Sequence, residues 1–474
     1  MLRLYNTMTR SVEGFTPIRG KTVGMYTCGP TVYDYAHTGN LRTYLFEDVL
    51  KRALIASGYR VKHVMNITDV GHLVSDADEG EDKMVVGARR EGKTAWEIAE
   101  FYTQAFRRDL ARLNIIEPDV WCKATDHIPE QIELIRRLQE KGFTYVIDGD
   151  GVYFDTSKLS DYGRLARLDV AGLRAGARVE MVSGKRNVTD FALWKFSPKD
   201  AKRQMEWPSL WGVGFPGWHI ECSTMAMKYL GERVDIHCGG VDHLNVHHTN
   251  EIAQSESALG HKWVNWWMHG EFLTFPAGEG NQAAKMSKSA GGFVTLDTLE
   301  QKGYDLLAYR YFCLNAHYRQ QLAFAWVALD AAQNAYSRLK RIVPGLRARV
   351  RPADEPIEEH LAAFRAALED DLNMPQALAA MWAATGRVKK GKRYSPGREY
   401  KTLVEMDRVL GLGFDRMREE ALAIPEVEIR KLIDQRSAAR KARDFARADA
   451  IRKQLAEKGI ALEDTPAGTV WRRG

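Results

Sequence analysis

Cysteine is scarce in this chain. The five residues, Cys28, Cys122, Cys222, Cys238 and Cys313, are odd in number, scattered, and form no CxxC pair. That excludes a disulfide framework and leaves metal ligation, catalysis or simple burial as roles for individual thiols. Long apolar runs are missing too: none approaches the roughly 20 residues that cross a bilayer, so no membrane partner is expected. The first residues, Met1-Leu2-Arg3-Leu4-Tyr5-Asn6, lack the apolar stretch and small-residue cleavage site of a secretory signal, and a cytoplasmic location is expected. Neither sign of charge dominates. With 68 Lys and Arg against 62 Asp and Glu, the net charge of +6 permits a polyanionic partner without requiring one.

What is present is ordinary for a folded protein, with 45% apolar and 27% charged residues, and 474 residues call for two to four domains rather than one core. The residues Val23, Met25 and Tyr26 form a short apolar strand within Lys21 to Cys28, ended by Gly29-Pro30. After a loop through His37-Thr38-Gly39-Asn40, Leu41 to Ser57 carries helical periodicity, and Val61 to Ile67 reads as the next strand. This is a βαβ unit, whose first loop delivers backbone amides and a helix N-terminus to a phosphate. A second unit has a strand at Val234 to His237, a turn at Cys238-Gly239-Gly240 and a helix from His247 to Leu259. Between them, 118–202 reads as an insertion with a helix, Pro129 to Lys141, and a hairpin around Asp148-Gly149-Asp150-Gly151. Pro344 to Pro356 reads as a linker, and Glu358 to Leu410 as helical. The stretch Glu426 to Gly474 holds twelve Lys and Arg against eight Asp and Glu, a net of +4; within it a long basic helix is expected from Glu428 to Lys458.

Three groupings carry chemistry. In Lys285-Met286-Ser287-Lys288-Ser289, two lysines three apart on a loop of small residues could neutralise charge developing on a leaving pyrophosphate, although a solvated surface loop has the same composition. His247 and Glu251 stand at i and i+4, a workable spacing for a divalent metal and equally for a surface pair. Cys28 and Cys222 are each either ligands or buried small hydrophobes.

Taken in order, Tyr26-Thr27-Cys28-Gly29-Pro30-Thr31-Val32-Tyr33-Asp34, His37-Thr38-Gly39-Asn40, Asn66-Ile67-Thr68-Asp69, Gly217-Trp218-His219-Ile220-Glu221-Cys222, Asp235-Ile236-His237, His247-His248-Thr249-Asn250-Glu251 and Lys285 to Ser289 resemble the cysteinyl-tRNA synthetases, a class I aminoacyl-tRNA synthetase family. The resemblance implies an α/β fold: a Rossmann-type catalytic domain in two halves (1–117 and 203–280) around a connective insertion (118–202). A lysine loop with a stem-contact region (281–343), a helical bundle (355–415) and an anticodon-binding domain (426–474) would follow. It implies one zinc ion held by Cys28, Cys222, His247 and Glu251, to which the substrate cysteine adds its sulfur. Trp218 would wall the cysteine pocket, and Gly29, Thr31, Thr68 and His237 would line it. His37 and Asn40 would lie near the ATP phosphates, Asp242 on the ribose, and Lys285 and Lys288 would close on pyrophosphate, with Mg2+ accompanying ATP. The expected reaction forms cysteinyl-adenylate and passes cysteine to the 2′-hydroxyl of the terminal adenosine of tRNA-Cys, by a chain acting as a monomer. Arg440, Asp449 and Asp464 match positions that read the anticodon.

Two departures stand out: the usual His-Ile-Gly-His element is His-Thr-Gly-Asn here, and the stretches Gly71 to Lys83 and Pro276 to Ala284 are longer than the family pattern. Two other readings remain: a paralogue joining activated cysteine to a sugar amine, which would lack the basic tail, and a non-catalytic zinc-containing RNA-binding protein, which would not need the lysine loop.

Overall fold

A short antiparallel hairpin, β1 (Arg3–Asn6) and β2 (Ser11–Gly14), leads into the first parallel strand, β3 (Thr22–Thr27). The computed structural model describes residues 1–71, 83–169, 183–198, 203–275, 284–285, 294–386, 394–418, 424–465 and 468–473. They fall into two compact units, Met1–Arg416 and Met417–Gly474.

Helix α1 (Thr38–Ala56) follows β3 and feeds β4 (Arg60–Ile67). Helices α2 (Lys83–Glu91) and α3 (Ala95–Arg112) then lead to β5 (Val120–Lys123). Helix α4 (Ile128–Glu140) precedes an antiparallel sheet of β6 (Thr144–Ile147), β7 (Gly151–Phe154), β8 (Phe191–Phe196) and β9 (Gly214–Pro216). Helix α5 (Trp218–Leu230), β10 (Val234–Gly240), helix α6 (His247–Leu259) and β11 (Val264–Gly270) complete the second βαβ unit.

The central sheet is parallel throughout, in the order β11-β10-β3-β4-β5. From β3 the chain winds through α1 to β4, whereas from β10 it winds through α6 to β11 on the other side. The order therefore reverses between β3 and β10, and a crevice opens beyond their carboxyl ends, where ligands bind in such sheets. Alternation along β3 divides its side chains between the two faces. Tyr26 joins the core shared with Cys222 and Met225 of α5 and Trp267 of β11. Burial of that apolar surface on both faces is the main favourable term holding α5 and α1 to the sheet.

Three expectations from the sequence change. Cys238-Gly239-Gly240 is not a turn but the buried end of β10, paired with Met268, His269 and Gly270 of β11. Glycine suits it because a Cβ on Gly240 would stand 2.3 Å from Asp242 Oδ1. The strand Val120–Lys123 belongs to the central sheet, and Gly214–Pro216 to the antiparallel one, so the two sheets do not part at 118 and 202.

Beyond β12 (Leu273–Phe275) and β13 (Ala284–Lys285), helices α7 (Leu296–Gln301) and α8 (Leu306–Leu314), β14 (Leu322–Ala323) and α9 (Trp326–Arg347) follow. Pro344 was expected to open a linker, yet α9 runs on past it to Arg347. Helices α10 (Glu358–Glu369), α11 (Met374–Ala383) and α12 (Pro396–Leu410) pack with α9 as a helical bundle.

In the second unit the expected single helix is two, α13 (Glu426–Lys441) and α14 (Phe445–Glu457). Arg443 takes a positive φ of 59°, and the Asp444 side chain caps the new helix. An antiparallel hairpin, β15 (Ile460–Thr465) and β16 (Gly468–Arg473), closes over a small core of Ile429, Ile451, Leu455 and Ile460.

Candidate active site and metal centre

Cys28 is the first residue after β3, and its backbone N–H donates to Cys238 O of β10 at 3.2 Å, which sets its thiol at the reversal point of the sheet. Cys222 comes from the first turns of α5, and His247 and Glu251 share one face of α6. All four side chains are buried, and their ligating atoms lie within 4.8 Å of one another. A second set, Cys28, His237, His248 and Glu251, meets the same distance, but it offers one thiol where the first offers two. Zinc prefers the richer thiolate set.

The electrostatics of the first set suit a cation. Burial alone would lower the His247 pKa, but the negative charges of Glu251 and Cys222 prevail and hold it up to about 10. Burial would raise the Cys222 thiol, yet the hydrogen bond with Cys28 and the His247 charge bring it down to about 7. Glu251, despite burial, is held well below the carboxylate range by His237 and His247. The Cys28 thiol is pushed up by burial and by its neighbour Cys222. The proton on His247 thus compensates the negative donors, and a divalent metal would do the same while freeing the imidazole nitrogen to ligate.

Neighbours fix these donors. His247 Nε2 lies 2.7 Å from Glu251 Oε1, and His237 Nε2 lies 2.6 Å from Oε2. His219 Nδ1 lies 3.0 Å from His247 Nδ1. The Trp218 ring sits 4.4 Å from the His247 ring, forming a wall beside the donors. His237, expected to line the substrate pocket, is completely buried, stacked on Trp267 and engaged with Glu251. Gly29 lies against β4: its N–H donates to Asn66 Oδ1 at 2.8 Å, and a Cβ there would stand 1.6 Å from Asn66 O. Thr31 and Thr68 form an isolated parallel bridge beside it.

Three participants gave no individual signal in the sequence: His219, Asn66 and His248. His248 lies 3.4 Å from Cys28 Sγ through Nε2, and its Nδ1 faces His269 Nε2 at 2.8 Å. The density of histidines between His237 and His248 was the clue available.

At the start of α1, His37 is the helix cap. Its Nδ1 accepts the Asn40 backbone N–H at 3.2 Å, and Asn40 Oδ1 accepts the His37 N–H at 3.4 Å. His37, Asn40, Thr43, Gly240, Asp242 and Gly270 line one cavity between the ends of β10 and β11 and the start of α1. The Arg42 guanidinium fixes its far rim by donating to the carbonyls of Glu271, Phe272 and Gln320. The expected ATP residues His37, Asn40 and Asp242 therefore do meet. Lys285 pairs through its backbone with Thr274 in β13, while Lys288 and the stretches 72–82 and 276–283 lie outside the described residues.

In the second unit, Asp464 accepts from Arg436 at 2.8 and 2.9 Å, from Thr469 Oγ1 at 2.7 Å and from Arg440 Nη1 at 2.6 Å. These donors hold its carboxyl well below the usual range, the Arg436 bond foremost. Asp449 is exposed on α14.

Residues 14–334 match the family described as tRNA synthetases class I (C) catalytic domain. The chain belongs to the cysteinyl-tRNA synthetase family. Residues 363–415 match the DALR domain, and 426–472 the cysteinyl-tRNA ligase anticodon binding domain of such synthetases. A cysteine–tRNA ligase 1 of Burkholderia lata is 55% identical, covering 98% of this chain and 96% of its own. A cysteine–tRNA ligase of Treponema denticola is 45% identical, covering 100% and 99%. Among solved structures, a LeuRS–tRNA–LeuAMS complex from Agrobacterium radiobacter (TM-score 0.59, 13% identity, 85% of each chain) shares the fold. So does the Mycobacterium tuberculosis methionyl-tRNA synthetase with methionyl-adenylate (0.53, 17%, 83% of this chain and 90% of that one). This cysteinyl-tRNA synthetase thus has a class I catalytic domain, a helical bundle and an anticodon-binding domain in that order.

Proposed function

We propose that Cys28, Cys222, His247 and Glu251 hold a zinc ion through which this synthetase selects cysteine by its thiol. The chain is a cysteine–tRNA ligase: full-length relatives at 55% and 45% identity carry that activity in their names, and the anticodon-binding domain accompanies the catalytic one. Its partners are therefore tRNA, ATP and cysteine. The observation that carries the zinc reading is the convergence of two thiols, an imidazole and a carboxylate in a buried, charge-compensated cluster.

Zinc binds thiolates far better than hydroxyls, so the bound ion supplies the discrimination against serine, a near isostere that an apolar pocket rejects poorly. Trp218 walls the bound side chain, with Gly29, Thr31 and Thr68 along the β3–β4 edge. His237 lines the same pocket and holds the Glu251 carboxylate. The cysteine carboxylate attacks the α-phosphorus of ATP, releasing pyrophosphate with Mg2+ and leaving cysteinyl-adenylate. His37 and the α1 N-terminus face the phosphates, Asp242 the ribose, and Lys285 and Lys288 stabilise the departing charge. The adenylate is then attacked by the 2′-hydroxyl of the terminal tRNA adenosine, releasing AMP. In the second unit Arg440 and Asp449 face the anticodon, with Asp464 clamping Arg440. A reducing, cytoplasmic setting suits five buried cysteines without a disulfide among them.

Cysteine attachment to bulk tRNA, measured before and after zinc chelation, tests this reading. Loss of charging on chelation, restored by zinc, is expected. Undiminished charging by metal-free protein would refute it.

A further inference from the structure

Cys28 and Glu251 each face two ways. Glu251 Oε1 meets His247 Nε2 at 2.7 Å, while its Oε2 meets His237 Nε2 at 2.6 Å. Cys28 joins Cys222 and His247 in one four-donor set and His237 and His248 in the other, and within each set the donor atoms lie within 4.8 Å of one another. The sets therefore share a thiol and a carboxylate and differ in the rest. A thiolate and a carboxylate have lone pairs enough to bridge two cations, whereas an imidazole nitrogen has one. The shared residues are thus the ones able to serve two ions at once.

The second set is held in place by its surroundings. His237 on β10 and His248 on α6 are completely buried, with their rings 4.5 Å apart. His248 Nε2 lies 3.4 Å from Cys28 Sγ, and its Nδ1 lies 2.8 Å from His269 Nε2, whose own Nδ1 lies 2.8 Å from Thr7 Oγ1. That chain fixes the His248 ring and directs Nε2 at the thiol, as outer partners do for metal-binding imidazoles. Gly239 makes room for the ring, since a Cβ there would stand 2.8 Å from His248 Cε1. The His237 ring is stacked on Trp267 at 4.6 Å. Charge favours a second cation too. With Cys28, Cys222 and Glu251 all ionised, as ligation requires, a single divalent ion leaves one negative charge in a dry interior, where an uncompensated charge is costly.

We propose that Cys28, His237, His248 and Glu251 form a second metal position beside the zinc ion, with the Cys28 thiolate and the Glu251 carboxylate bridging the two. The proposal deepens the zinc reading and rests on it. Its ligand is a borderline divalent cation of the zinc, cobalt or nickel class, which suits a thiolate with two imidazoles; magnesium and calcium, which take oxygen donors, are excluded. With one thiol where the first set has two, this position fills second. Metal in excess of the first ion therefore collects at the centre that selects the substrate.

The test adds Co2+ to the full-length wild type carrying its zinc, and to His248→Gln, which keeps a polar side chain but loses the imidazole. About one cobalt per chain is expected to bind the wild type as a four-donor site would, with thiolate-to-cobalt charge-transfer absorption. Elemental analysis after desalting still finds the zinc, and a large excess of Mg2+ leaves the absorption unchanged. His248→Gln keeps its zinc and loses the absorption. Cobalt bound without thiolate absorption is adventitious and overturns the proposal. So does one-for-one replacement of zinc by cobalt, displacement of cobalt by magnesium, undiminished absorption in His248→Gln, or loss of zinc from that variant. A wild type that holds no zinc before cobalt is added would instead overturn the reading of Cys28, Cys222, His247 and Glu251 as the zinc centre.

Discussion

His37 and Asn40 cap the same helix reciprocally, each side chain accepting the other's backbone N–H. The asparagine that replaces a second histidine in the His-Thr-Gly-Asn element therefore holds the loop that places His37 beside the cavity. Asn40→Ala is expected to cost about 0.5–1 kcal/mol of stability, as lost caps do, and to raise the KM for ATP several-fold. Thermal unfolding with exchange kinetics at varied ATP checks both, and an unchanged KM would show that the cap does not position the site.

The Arg310 guanidinium, fully buried, meets Asp48 Oδ2 of α1 at 2.5 Å and donates to the carbonyls of Leu410 and Leu113. It ties the helical bundle to the catalytic sheet. Arg310→Met leaves Asp48 with Arg52 as its remaining charge partner and takes a donor from two carbonyls in a dry interior, so a loss of about 1–3 kcal/mol is expected, read as a lowered denaturant midpoint. A midpoint within error of wild type would contradict that role.

His63 is buried on β4, with Nε2 2.9 Å from Thr27 Oγ1. Burial, aided by Lys51, lowers its pKa from 6.5 to about 3. The unfolded chain binds a proton below pH 6.5 that the folded chain refuses until about pH 3, so the contribution is intact above 6.5 and drains as pH falls. The slope is about 1.4 kcal/mol per pH unit. His63→Gln should flatten the stability curve over that window, and an identical curve would remove His63 as a source of acid lability.

Asp464 gathers Arg436, Arg440 and Thr469 on one carboxylate. Asp464→Ala frees Arg440 to wander, so charging of tRNA is expected to fall by about tenfold or more, the scale of a lost charge-assisted contact, while cysteine-dependent exchange holds. Equal charging by variant and wild type would show that this clamp plays no part in reading the tRNA.

The sequence made the first βαβ unit legible because its apolar alternation ends at a glycine-proline stop, and helix His247 to Leu259 because its boundaries are clear. It concealed the end of β10. Glycines after Cys238 look like a turn, yet in a buried parallel strand they are needed where Asp242 and His248 crowd the backbone. It concealed the break at Arg443 as well, since neither proline nor glycine marks it and the φ of 59° falls on an arginine. The four candidate zinc ligands could be named through resemblance alone; spacing gave only the His247–Glu251 pair. The roles of His219 and His237 in holding them depend on contacts between α5, β10 and α6, which no local pattern encodes.

The most direct test of the account is the zinc content of purified protein, wild type against Cys222→Ser, by elemental analysis. About one zinc per chain is expected in the wild type, as for a closed four-donor site, with most of it lost in the variant together with preference for cysteine over serine in exchange. Full retention of zinc by Cys222→Ser would contradict the claim that these four residues form the centre that selects the substrate.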